Sequence, residues 1–163
     1  MAKATLNDGQ VMYAVNDLFI GPKTHFSARY EINIGDKTER QSSSGVIVST
    51  GLGSTGWLAS LLKGATGITA SLMDRSLKLN QAQPVEWDAD YLYYTVREPF
   101  PSNVTQTDLV CGKITSRNQL RLTSQMSENG VIFSDGIEND YLNFNAGIEA
   151  EIGIAEKRGL LGT

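Results

Sequence analysis

Apolar and polar residues alternate along much of this chain with the period of strands. Ala28, Tyr30, Ile32 and Ile34 are separated by Arg29, Glu31 and Asn33, the pattern of a half-buried strand. Gly35-Asp36-Lys37 reads as a turn, and polar Thr38–Ser44 fits the returning arm of a hairpin. Ala14–Ile20 (AVNDLFI) reads as one strand, and Gly45–Thr50, with Val46, Ile47 and Val48, as a buried one. Tyr91–Arg97, Leu109–Ile114, Gln119–Ser124, Val131–Ser134 and Ile148–Ala155 extend the series. Glu98–Asn103 is a proline-set loop, and Arg117-Asn118, Glu128-Asn129-Gly130 and Asp135-Gly136 are turns. One segment departs from this pattern: Trp57, Leu58, Leu61 and Leu62 lie at helical spacing and predict a helix packed on a sheet. Residues 64–87 read as loop, with a short strand at Ser76–Leu79. The expectation is a mainly β (α+β) fold, a multi-stranded β-sandwich of packed sheets with one inserted helix, formed by residues 1–163 as a single domain. A single convincing helix excludes a βαβ series.

Composition narrows the functional classes. The chain has 163 residues, 40% of them hydrophobic, enough for a sizeable core. Its net charge is −4 with no basic block, which argues against nucleic-acid or membrane-surface binding driven by electrostatics. Cys111 is the one cysteine, so no intrachain disulfide can form, which fits a reducing compartment. His25 is the one histidine, which removes any multi-histidine metal site, and its Pro22-Lys23-Thr24-His25 surroundings read as a surface loop. The first residues lack the apolar centre of a signal peptide, and no run approaches ~18 apolar residues. A cytoplasmic location is therefore expected, and the sequon Asn103-Val104-Thr105 carries no expected role.

The chemistry concentrates between the buried strand and the helix, at Ser49-Thr50-Gly51-Leu52-Gly53-Ser54-Thr55-Gly56-Trp57. Glycines allow a ligand to approach the backbone, and a helix start presents unpaired N–H groups with the positive end of the dipole. Strand, turn and helix start could hold a nucleotide's phosphate or ribose. A tight turn with Ser54 or Thr55 as N-cap is equally compatible. The literal G-x-G-x-x-G match at Gly51–Gly56 lacks a dinucleotide fold around it: the flanks read as hairpins, and Asp74, about 20 residues on, ends no credible second strand. Trp57 replaces the lysine of a phosphate-binding Walker loop, and Gly53-Ser54-Thr55-Gly56 is too short for a nucleophile elbow. Asn16-Asp17 interrupts an apolar strand, so one of the two either faces a ligand or marks an edge or bulge. Asp135-Gly136 ends Val131-Ile132-Phe133-Ser134 as strand-ending turns commonly do.

Together these pieces resemble the C-terminal domain of the NAD kinase family. Asn16-Asp17 is similar to that family's Asn-Glu motif. Ser49–Trp57 is similar to its S-T-P-T-G-S-T-A-Y loop after a G-[DV]-[GV]-[IV]-[IV] strand. Phe133-Ser134-Asp135-Gly136 is similar to its late Asp-Gly turn, with order and spacing agreeing from Asn16 to Glu156. The resemblance implies a β-sandwich-like domain of the NAD kinase/diacylglycerol kinase type that binds NAD. It implies substrate-binding roles for Asn16, Asp17, Thr50, Gly53, Ser54, Thr55 and Trp57, with Gly51, Gly56 and Asp135 as further positions. It implies ATP as phosphate donor, Mg²⁺ in the full enzyme, and a homo-oligomer. Gly51-Leu52 replaces the family's Pro-Thr, Asp17 its Glu, and Gly56-Trp57 its Ala-Tyr. The family's Gly-Gly-Asp-Gly motif, whose aspartate is the expected base, belongs to a preceding α/β domain and is absent from this sequence. The chain is thus expected to bind NAD without catalysing its phosphorylation alone, and no catalytic or metal-ligating residue is assigned. The rival expectations are a domain of a related sugar or lipid kinase, and a non-catalytic β-sandwich module for binding or oligomerisation.

Overall fold

Residues 1–73 and 86–158 are described in the computed structural model. The strands run in chain order as β1 (Ala2–Leu6), β2 (Val11–Ala14), β3 (Asp17–Pro22), β4 (Ala28–Ile34), β5 (Lys37–Ser43) and β6 (Gly45–Ser49). A 3₁₀ turn (Leu52–Thr55) and helix α1 (Trp57–Met73) follow. The chain continues as β7 (Leu92–Arg97), β8 (Cys111–Ile114), β9 (Leu120–Ser124), β10 (Gly130–Ser134), β11 (Tyr141–Asn143) and β12 (Glu149–Ile154). These strands make two six-stranded sheets, β2-β1-β12-β9-β4-β5 and β11-β10-β3-β6-β7-β8. The β4–β5 hairpin is paired from Ala28↔Ser43 to Ile34↔Lys37, as the alternation predicts.

Strand parity sorts the side chains. In the second sheet, Leu18, Ile20, Val46, Val48, Tyr94 and Ile132 face the first sheet and join Tyr30, Ile32, Leu120, Leu122 and Ile152 in one core. The outer face of the same sheet carries a smaller apolar cluster, Phe19, Ile47, Val131 and Phe133, onto which Trp57 and Leu61 of α1 fold. Burial on both faces explains why β6 reads as a continuous apolar run and why all five of its residues are buried. The chain passes from the first sheet to the second between β5 and β6 through Ser44 alone. Gly45 makes that corner at φ +123°, a region closed to side chains, with the Phe19 ring 2.7 Å from where a Cβ would stand.

A buried polar network ties the sheets together. The Glu39 carboxylate accepts the Leu109 N–H at 3.0 and 3.1 Å and the Gln41 amide at 2.9 Å. Gln41 also donates to the Leu109 carbonyl, and Tyr30 donates to the Gln41 side-chain oxygen. Burial raises the Tyr30 phenol well above its ordinary value, so it remains a donor. The expected strand at Leu109 begins instead at Cys111, because Glu39 holds the Leu109 backbone apart from the ladder.

Three further expectations differ from the structure. The run Ala14–Ile20 is two strands in different sheets, broken at Val15-Asn16. Strands β1 and β11, and β2 before Ala14, lie where no strand was expected; they are 5, 3 and 4 residues long, too short for a period to stand out. Helix α1 continues to Met73 where residues 64–73 read as loop. Gly64 and Gly67 weaken its pattern, and Leu58 is its one buried residue, so little of it packs to leave a periodic trace. The expected strand Ser76–Leu79 and Asp74 lie outside the described residues.

We expect Glu39→Ala to lower unfolding stability by about 1–3 kcal/mol, since it leaves the Leu109 N–H and Gln41 amide unpaired in the interior. Urea denaturation reads this as an earlier midpoint at constant m. An unchanged midpoint would show that the network does not hold the sheets.

Candidate functional site

The polar residues singled out by the sequence gather at one end of the second sheet. The chain crosses between sheets at Val15-Asn16, where backbone groups have no ladder to join. Asp135 supplies the acceptors. Its carboxylate receives the N–H of Val15 at 3.1 Å, of Asn16 at 2.6 Å and of Asp17 at 3.3 Å. Asp135 itself turns at φ 54°, and its N–H donates to the Asp17 carbonyl at 2.9 Å. Aspartate tolerates this left-handed conformation better than most residues, which is why the strand-ending Asp-Gly pair suits the position.

Thr50 closes the carbonyl side of the crossing. Its hydroxyl donates to the Val15 carbonyl at 2.6 Å, and its N–H to the Asn16 carbonyl at 2.9 Å. The hydroxyl in turn accepts the Gly53 N–H at 3.1 Å, which starts the 3₁₀ turn. Gly53 lies against the crossing so tightly that a Cβ would sit 2.1 Å from the Asn16 carbonyl oxygen. Glycine is required there by close approach; Gly53 is not among the residues at positive φ. Gly51 is equally tight, with its Cβ position 2.1 Å from the Glu86 carbonyl oxygen. The Ser54 hydroxyl donates back to the Gly51 carbonyl at 2.7 Å, and Thr55 and Gly56 are exposed before α1 begins.

The backbone of the crossing is thus fully engaged, but the side chains of Asn16 and Asp17 are not. Neither hydrogen-bonds to another described residue; Asn16 is exposed and Asp17 half-buried. Burial, with the charge of Asp135 adding to it, raises the Asp17 carboxyl above its ordinary value. Register places Asp17 directly across from Ser49, Ser49 across from Tyr93, and Tyr93 across from Lys113. Strand parity puts all four on the outer face. The Ser49 hydroxyl is 2% exposed and has no hydrogen-bond partner among the described residues. Lys113 lies 4.3 Å above the Tyr91 ring. The sequence names Ser49 only as the start of the glycine-rich stretch, without a binding role, and does not point to Tyr93 or Lys113, because their proximity to Asp17 depends on strand pairing across more than 30 residues.

The structure therefore brings Asn16, Asp17, Thr50, Gly53 and Asp135 into direct contact, with Gly51, Ser54, Thr55 and Gly56 in the adjoining turn. Trp57 belongs to a different setting. Its ring stacks on Phe19 at 5.7 Å and 10°, and the Arg97 guanidinium lies 5.5 Å over it, so it seats α1 on the sheet. A cavity of about 670 Å³ lies beyond it on the same face, over Phe19 and Phe133, with Lys23, His25 and Arg97 at its rim. Among the described residues no three His, Cys, Asp or Glu side chains gather as metal ligands, and the Asp135 oxygens are occupied by backbone N–H groups. These residues do not make an oxygen cage for Mg²⁺. No helix among the described residues is long and apolar enough to cross a membrane.

Comparison with known proteins gives the architecture a precedent. The chain superposes on a yeast NADH kinase solved with NADH, with a TM-score of 0.64 at 17% identity, over 93% of this chain and 39% of that one. It superposes on an NAD kinase from Archaeoglobus fulgidus solved with ATP, with a TM-score of 0.62 at 14% identity, over 96% of this chain and 51% of that one. The fold is that of the NAD kinase C-terminal domain. The chain spans about half, or less, of the length of these kinases. No family model matches the sequence, and no curated protein matches it. The NAD kinase-like likeness thus lies in the fold: two antiparallel sheets with one helix.

Two outcomes follow from this geometry. Gly53→Ala drives a methyl group into the Asn16 carbonyl, so we expect it to displace the crossing and to lower the melting temperature. A melting curve matching the wild type would show the contact to be slack. Asp17 gives a pH signature. A carboxyl raised in the fold favours the protonated native state, so its contribution is greatest below the unfolded value and is lost as pH rises through the folded one. Asp17→Asn escapes that loss. It is expected to be more stable than the wild type at pH 7, with the gap narrowing as pH falls towards 3.8. A gap of the opposite sign at pH 7 would refute the unfavourable setting of this carboxylate.

Proposed function

We propose that this chain is the NAD-binding domain of an NAD kinase-like phosphotransferase, one that moves a phosphoryl group from ATP to the adenosine 2′-hydroxyl of NAD. The observation that carries this reading is the contrast at the sheet crossing. Every backbone group of Val15-Asn16-Asp17 that Asp135 and Thr50 can reach is bonded, and the side chains of Asn16 and Asp17 have no hydrogen-bond partner among the described residues. A half-buried carboxylate held in an unfavourable state beside an orphaned hydroxyl has the character of a ligand site rather than of packing. Asp17 would accept from a ribose diol, Asn16 would offer an amide donor and acceptor, and Ser49 would complete the row. Ser54 and Thr55 line the turn that leads into the helix start. Thr50, Gly53 and Asp135 serve by holding this arrangement, a positional contribution to catalysis. The departure at Leu52, where the family resemblance calls for a threonine, leaves one fewer hydroxyl for the ligand.

ATP, Mg²⁺ and the base that activates the acceptor hydroxyl belong, in this proposal, to a preceding domain. Ile68, Leu72 and Met73 on α1 are exposed at 63%, 81% and 62%, as suits a helix that another part of a longer protein, or another copy of this chain in a homo-oligomer, covers.

Calorimetric titration with NAD tests the reading. The chain should bind NAD, and Asp17→Ala should weaken binding by about 10- to 150-fold, the equivalent of losing a hydrogen bond to a charged group at about 1.5–3 kcal/mol. Circular dichroism should show the β-fold intact. Unchanged affinity in a folded Asp17→Ala variant would make Asp17 structural and end the proposal. Binding of sugars in preference to NAD would assign the chain to a related sugar kinase. Incubation of the chain alone with NAD, ATP and Mg²⁺ should yield no NADP, and steady turnover would overturn the division of labour between domains.

A further inference from the structure

A second concave site lies on the other sheet, away from the crossing. Strand β5 is the edge of the first sheet, and the segment after β7 folds over it: Phe100 N–H donates to the Ser42 carbonyl at 2.8 Å and Gln106 N–H to the Arg40 carbonyl at 2.9 Å. This cover protects the edge from pairing with another chain. Between the cover and the outer face of β4 and β5 remains a cavity of about 310 Å³. Arg29, Arg40, Ser42 and Gln125 line one side, and Phe100 and Val104 the other.

Its charge is one-sided. Two arginines line the space and no acidic residue does, in a chain whose net charge is −4. Among the described residues neither Arg29 nor Arg40 has a carboxylate within the 4.0 Å of an ion pair, whereas Lys3 and Arg121 both do. Glu31 is the one acid on the outer face of β4 and β5. It stands across from Arg40 in the register, but no ion pair joins the two. The two hydroxyls of the cover that line the cavity are already engaged. Thr105 donates to the Phe100 carbonyl at 2.7 Å, and Ser102 lies 2.8 Å from the Thr105 oxygen. Gln41 is likewise taken up by Glu39 and Leu109. Among the described residues, the lining side chains without a hydrogen-bond partner are Arg29, Arg40, Ser42 and Gln125. Opposite them, Phe100 is 65% and Val104 75% exposed, an apolar surface left open by the described residues.

We propose that this cavity is a binding site for a small phosphomonoester with an aromatic or apolar body. The phosphate would lie between Arg29 and Arg40, where planar guanidinium groups match its oxygens in pairs. The body would cover Phe100 and Val104. A soluble ligand is favoured over a lipid headgroup because the donors sit inside a recess of limited volume on an acidic chain. The site is independent of the Asn16–Asp135 cluster, which lies at the end of the other sheet.

Phenyl phosphate is the probe, titrated calorimetrically at low salt. We expect saturable binding tighter than that of inorganic phosphate. Arg29→Gln or Arg40→Gln should each weaken it by about tenfold, and the double variant should abolish saturation, as removal of charge-assisted donors requires. Lys63→Gln, which removes an exposed cation from α1 on the other sheet, should change affinity less than about twofold if general charge is not the cause. Melting curves of the exposed arginine variants should match the wild type, so that loss of binding reports the site. Phenyl phosphate binding that fails to saturate, or that survives in the double variant, overturns the proposal. Vesicles containing phosphatidic acid form the second arm. Sedimentation with those vesicles in the absence of phenyl phosphate binding would place the arginines at a lipid surface and overturn the soluble-ligand assignment.

Discussion

One carboxylate organises the functional end of this protein. Where the chain leaves the first sheet for the second, three consecutive backbone N–H groups point away from any ladder, and Asp135 accepts all three. An N–H left without a partner away from water costs about 1–3 kcal/mol, and the half-buried Asp17 is the one of the three that would bear it, while Val15 and Asn16 are exposed and gain a fixed geometry from the same carboxylate. Asp135 comes from a turn more than 100 residues later, and the contact therefore fixes β10 beside β3 as well as shaping the loop. Thr50 does the same for the carbonyls from the end of β6. The 3₁₀ turn and the entry of α1 then follow, because Gly53 is held by Thr50 and pressed against Asn16.

The same arrangement creates a local imbalance. Asp135 is stabilised by the N–H groups it accepts. Asp17, two residues beyond the crossing's start, has no such support and feels both burial and the neighbouring charge. Ser49, facing it across the strand pair, is buried without a partner among the described residues. Native proteins pair nearly all buried polar groups, so exceptions clustered at one place carry information about what comes to that place. The rest of the outer face is satisfied in the ordinary way, by Trp57 stacking on Phe19 and by Lys113 over Tyr91. Unbalanced polar groups and satisfied aromatic packing thus stand side by side on one sheet, separated by the alternation of the strands.

The two sheets also solve their edge problem differently. In the first, the segment following β7 lies along β5 and leaves the recess that holds Arg29 and Arg40. In the second, the short β11 forms one edge and β8 the other. Helix α1 contributes little to either sheet's core, since it buries Leu58 and rests on the outer cluster through Trp57 and Leu61. The β architecture stands on inter-sheet packing and on the Glu39–Gln41–Tyr30 network.

The sequence by itself determined what depends on local pattern. Period-two alternation located β4, the polar run after the Gly35-Asp36-Lys37 turn located β5 as its hairpin partner, short runs between turns located β7, β9 and β12, the continuous apolar run marked β6 as buried, and the glycine and hydroxyl residues marked the turn before the helix. It also named Asn16, Asp17, Thr50, Gly53 and Asp135 as belonging together, through motif order and not through any visible contact. Tertiary structure decided the remainder. That AVNDLFI is a sheet crossing rather than a strand follows from Asp135 and Thr50, both distant in sequence. That Gly53 is demanded by the Asn16 carbonyl and not by its own φ depends on how closely two loops meet. Helix α1 past Leu62 left no trace because exposed residues need no periodicity. Ser49, Tyr93 and Lys113 joined Asp17 only through register, and Arg29 met Arg40 beneath a loop drawn over the edge of β5. Each of these arises from pairing between distant segments, and a pattern confined to neighbouring residues carries no record of it.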